Sequence, residues 1–83
     1  MSTTEVSSRI FEEIAELFAS CPSDEKILEF QPSAQTTRRI SQLLEAGRLG
    51  QIDETQKHEL DLYEQAELLM RLVKAQIRAR LGQ

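Results

Sequence analysis

His58 is the only histidine in the chain, with Glu54 one turn before it and Asp61 just after, a spacing that sets three potential metal ligands on one helical face. A zinc or hydrolytic centre normally recruits a second histidine or a cysteine, as H-E-x-x-H does with histidines at i and i+4, and that second ligand is missing. His58 therefore reads as an ordinary surface or hairpin residue. Cys21 is the single cysteine, which excludes an internal disulfide and provides no thiolate cluster. With no base beside it, it reads as a small buried hydrophobe next to a helix end rather than a nucleophile. The acid pairs Glu12-Glu13 and Asp53-Glu54 have no apolar surroundings to raise a carboxyl pKa for general acid work. Gly47 and Gly50 are followed by neither Lys-Ser nor Lys-Thr, so there is no phosphate loop. These residues imply no enzyme, no cofactor and no metal.

The remaining chemistry-bearing group is basic. Arg71, Lys74, Arg78 and Arg80 follow the last acid, Glu67, and the first three share one helical face. Such a segment suits a phosphate backbone, a membrane surface or an acidic protein. The blander account is complementarity to the helix dipole, worth roughly 0.3 to 1 kcal/mol per charge. The net charge of −4 argues against generic binding to nucleic acid or anionic lipid. The quartet is the one place where a phosphate-bearing partner could dock.

Positioning these residues requires helices, and no strand pattern is present. The spacing predicts four, at about 5–20, 24–30, 34–46 and 54–81. In the first, Val6, Ile10, Phe11, Ile14, Leu17 and Phe18 recur at helical spacing, after a frayed start at residues 1–4. Cys21-Pro22 ends it, because a residue before proline is driven out of the helical region. Ser23 caps a short second helix anchored by Ile27, Leu28 and Phe30, and Pro32 closes it. Ser33 caps the third, with Ile40, Leu43 and Leu44 inward, Arg38, Arg39, Gln42 and Glu45 in water, and Gly47 as a left-handed C-terminal cap. The link at 48–52 is short enough to set helices three and four antiparallel as a hairpin, with Leu49 and Ile52 over its open end.

Asp53 and Gln56 have capping-box spacing, and no Gly or Pro interrupts the chain from there until Gly82. At 1.5 Å per residue this last helix is roughly 40 Å long. A compact chain of this size is only about 30 Å across, so part of the helix should overhang. Leu62, Ala66, Leu69, Val73 and Ile77 form one apolar stripe, widened by Tyr63, Met70 and Leu81. A second strip, Leu68, Leu72, Ala75 and Ala79, lies on the far side. Two apolar strips imply two neighbours, and so short a chain has few helices to supply both. The expected answer is a homodimer, in which two such helices cross a twofold axis antiparallel, each acidic half beside the other's basic half.

At 83 residues, 40% hydrophobic and 29% charged, the chain has room for one all-helical domain with a small stability margin. No apolar run is long enough to cross a membrane and no secretory signal is evident, so the expected compartment is the cytoplasm.

Leu43-Leu44-Glu45, the link Arg48-Leu49-Gly50-Gln51-Ile52-Asp53, Glu59-Leu60-Asp61-Leu62-Tyr63, Leu72-Val73-Lys74-Ala75 and the segment from Pro22-Ser23 to Phe30 resemble a pattern in a family of short bacterial, often cyanobacterial, all-helical proteins. Some members look like antitoxins or accessory partners of nuclease-type toxins. The resemblance implies binding rather than catalysis and assigns no functional residue. The combined expectation is a non-catalytic interaction module that dimerises through its last helix, with a possible protein partner. The alternative is a nucleic-acid-binding regulator using the basic quartet.

Overall fold

The computed structural model describes residues 2–82, with side chains from residue 9 onward. Met1, Gln83 and the side chains of residues 2–8, including the expected core residue Val6, lie outside the described residues. Four helices follow in order: α1 Ser2–Ala19, α2 Asp24–Glu29, α3 Ala34–Arg48 and α4 Glu54–Leu81. Among the described residues there is no strand, and no helix is long and apolar enough to cross a membrane. The first helix starts at Ser2, earlier than about residue 5.

Helix starts follow local side-chain chemistry. Ser23 Oγ accepts from the Lys26 N–H, and Ser33 Oγ from that of Thr36. Asp53 Oδ1 accepts from the Gln56 N–H at 2.8 Å while Gln56 Oε1 accepts from the Asp53 N–H at 3.1 Å, a complete capping box. Each contact satisfies a donor that the first helical turn leaves without a backbone partner.

One stop differs from expectation. Gly47 lies inside α3, and the left-handed residue is Gly50, at φ 72°. Gln51 N–H donates to Ala46 C=O at 2.8 Å and Gly50 N–H to Gly47 C=O at 3.1 Å, the two bonds of a Schellman cap. The helix extends beyond Gly47 because the first of two nearby glycines can remain helical while the second reverses the chain. Arg48, paired with Glu45, thereby joins the last turn. Cys21 also has positive φ, 52°, just after α1. It is exposed, not the buried hydrophobe expected, because the reversal there lifts it off the core.

α4 is the common neighbour, packing against α1, α2 and α3. The core joins Ile10 and Ile14 of α1, Ile27 of α2 and Leu43 of α3 to Tyr63, Ala66, Met70 and Ile77 of α4. This differs from the stripe expected for the last helix. Ala66 and Ile77 are buried, but Leu69 and Leu81 are exposed, and the inward line runs Glu59, Tyr63, Ala66, Met70, Val73, Ile77. Its alternating steps of four and three keep one narrow seam against the neighbouring helices. Phe18, Leu44 and Leu49, expected inside or over the hairpin end, are also exposed.

The expected overhang is absent. The molecule measures 46 × 24 × 18 Å, so it lengthens to match α4 instead of forming a ball. Arg39 bonds Glu59, Lys74 Nζ donates to the Phe30 carbonyl at 2.9 Å, and Arg80 Nη2 meets both oxygens of Asp24 at 3.0 Å. As one partner moves up the chain the other moves down. These contacts reach along α4 from Glu59 to Arg80 in its final turn.

Candidate functional site

Helix α4 has one face engaged and one bare. Leu68, Leu69 and Leu72 are 50%, 45% and 56% exposed, and Ala75 and Ala79 are also exposed. The four expected interface residues, Leu68, Leu72, Ala75 and Ala79, thus lie together on the side of α4 away from the core, joined by Leu69. A leucine cluster on one helix flank is an apolar surface that no described residue covers.

That face is held in place by polar contacts on the other side. Glu59 is 1% exposed, and its two oxygens accept from Arg39 Nε and Nη2, both at 2.8 Å. The hydrogen bond to Glu59 raises the Arg39 pKa above the usual guanidinium range, outweighing desolvation. Tyr63, one turn on, is raised as well, by burial first and then by the charge and hydrogen bond of Glu59. A two-pronged charged contact fixes rotation about the helix axis as well as distance. It therefore sets which side of α4 faces out.

A second carboxylate ties α1 to the start of α3. Glu13 Oε1 accepts from the Ser33 N–H at 2.8 Å, and its Oε2 accepts from the hydroxyls of Ser33 and Thr36 at 2.9 and 2.8 Å. Burial pushes the Glu13 carboxyl up, but these bonds and the charge of Arg9 outweigh it and hold the pKa below the usual range. Thr36 is buried as a result. Periodicity did not mark Glu13, Thr36, Arg39 or Glu59, since each reads as a solvated polar residue until its partner on another helix is known.

The basic quartet is mostly engaged inside the molecule. Arg71 pairs with Glu67 at 3.7 Å, Lys74 with the Phe30 carbonyl and Arg80 with Asp24. Arg78 has no partner among the described residues, and neither has Glu64 on the same flank. His58 is exposed, and among the described residues no group of three or more His, Cys, Asp or Glu side chains could hold a metal ion.

No protein-family model matches the chain, and no curated protein or solved structure matches it either.

Proposed function

We propose that this chain is a non-catalytic protein-interaction module whose first partner is a second copy of itself, docked on the outer face of α4. The observation that carries the reading is the uncovered line Leu68, Leu69 and Leu72, flanked by a charge pattern that complements its own reverse. The Arg39–Glu59 contact and the short link between the two helices support α3 and α4 as an antiparallel hairpin. Such a hairpin would leave the opposite side of α4 for the partner.

In an antiparallel pair of helices, each flank meets the same flank of the other copy, reversed. Glu64 and Arg78 are equally far in sequence from Arg71, and both lack partners among the described residues. A twofold axis near Arg71 would set Glu64 of each copy beside Arg78 of the other and bring the leucines together. A strip from Leu62 to Ala79, about 27 Å long and about 10 Å wide, covers on the order of 300 Å² per copy. That is well under the roughly 800 Å² per partner of a standard interface, so association should be weak and concentration-dependent.

Sedimentation equilibrium from micromolar to millimolar protein tests this. The weight-average mass should rise toward two chains. Leu72→Asp should hold it at one chain, and Arg78→Glu should weaken association while Glu64→Arg with Arg78→Glu restores it. A one-chain mass throughout rules out the second copy and leaves the face to another protein, such as the nuclease-type partner that the family resemblance implies. The competing nucleic-acid reading has less support, because three of the four basic residues already have intramolecular partners.

A further inference from the structure

Across the molecule from that face, α1 and α3 enclose a depression of about 310 Å³ lined by Arg9, Gln35, Thr36, Arg38, Arg39, Gln42 and Tyr63. Three guanidinium groups share it, and no carboxylate is in its lining. This is unexpected in a chain of net charge −4, where like charges should be separated rather than gathered.

The nearby acids are already engaged. Glu59 has both oxygens on Arg39, and both oxygens of Glu13 are held by Ser33 and Thr36. Arg9 shares its charge with Glu13 at longer range and donates from Nη1 to Gln35 Oε1 at 3.1 Å. That bond occupies the acceptor end of the Gln35 amide and leaves its NH₂ to donate. Arg38 has no partner among the described residues. Arg39 uses Nε and Nη2 on Glu59, leaving Nη1 unoccupied by it. The depression is therefore a set of hydrogen-bond donors with surplus positive charge and one guanidinium fixed by Glu59.

We propose that this depression is a binding site for a phosphate group on a small ligand. A guanidinium fork matches two oxygens of an oxyanion, and the groups of Arg9 and Arg38 with the remaining Nη1 of Arg39 converge on more acceptor positions than a two-oxygen carboxylate offers, which suits a tetrahedral dianion. The volume is at the small end of the roughly 300 to 1,000 Å³ of ligand pockets, so a phosphate with a modest appended group fits. An extended polyanion would meet the repulsion of the acidic remainder of the chain, whereas a small dianion meets three arginines against the two carboxylates, Glu13 and Glu59, that the protein's own donors already hold. The site is built mainly from α1 and α3, with Tyr63 of α4 in its lining, and none of the exposed leucines Leu68, Leu69 and Leu72 of α4 takes part in it.

The test titrates inorganic phosphate into the full chain at constant ionic strength and follows the arginine Nε–H and glutamine side-chain signals by NMR. Saturable one-to-one shifts at Arg9, Arg38, Gln35 and Gln42 are expected. Arg38→Gln, at an exposed position, should bind about tenfold more weakly, the loss of one charge-assisted contact. Arg78→Gln should bind like the parent. Shifts reproduced by chloride, equal binding of acetate, or an Arg38→Gln variant with undiminished affinity would each overturn the proposal.

Discussion

Arg39 closes on Glu59 with two bonds of 2.8 Å, and the glutamate side chain is almost wholly withdrawn from water while the arginine side chain stays about one-third exposed. The asymmetry predicts unequal consequences. Arg39→Ala strands a buried carboxylate and should cost about 3 kcal/mol or more in urea unfolding. Replacing both residues together, as Arg39→Met with Glu59→Met, should recover most of that loss. If the single and double variants prove equally unstable, the pair is not what disciplines α4.

Acid should loosen the junction of α1 with α3. The Glu13 carboxyl has a lowered pKa in the folded chain, so its stabilising contribution is complete above the unfolded value and disappears as the pH falls through the folded one. Tyr63 acts oppositely. Its raised pKa gives a contribution that is complete below the ordinary tyrosine range and lost as the pH rises through the folded value. Thermal melts from pH 2 to pH 7 should show a smaller acid-side fall for Glu13→Gln than for the parent, and an identical slope would remove Glu13 from the account.

The two sides of α4 should respond differently to truncation. Met70→Ala, inside, should lose about 2 to 4 kcal/mol, whereas Leu69→Ala, beside it and outside, should lose less than about 1 kcal/mol when measured in dilute protein. Equal losses would mean that the seam is drawn on the wrong residues.

This contrast shows what the amino-acid pattern could and could not tell. Helix starts were legible because Ser23, Ser33 and the Asp53–Gln56 pair act within a single turn. The bare strip was legible too, since Leu68, Leu72, Ala75 and Ala79 repeat at helical spacing. Which side of α4 turns inward was not. From Leu68 to Val73 every residue but Arg71 is apolar, so periodicity there favours no direction. The choice is made by Arg39 and Glu59, whose meeting depends on two helices separated by a chain reversal. The arginine-lined depression was hidden for the same reason, as Arg9 joins Arg38 and Arg39 only after folding.

The two glycines near the end of α3 should behave oppositely. Gly47 sits in the helix with open space where a Cβ would go, so Gly47→Ala should stabilise by up to about 1 kcal/mol. Gly50 occupies the left-handed region, and Gly50→Ala should destabilise by about 1 kcal/mol or more. Chemical denaturation of both variants reads the two signs directly. Two changes of the same sign would contradict the position of the cap.

The clasp of Glu13 on Ser33 and Thr36 bears on the order of assembly. Those three groups complete the opening turn of α3 with a side chain supplied twenty positions upstream. A ribosome delivering the polypeptide N-terminus first has that carboxylate waiting before Ser33 emerges, whereas a peptide beginning at Ser33 would have only the Ser33 hydroxyl to start the same coil.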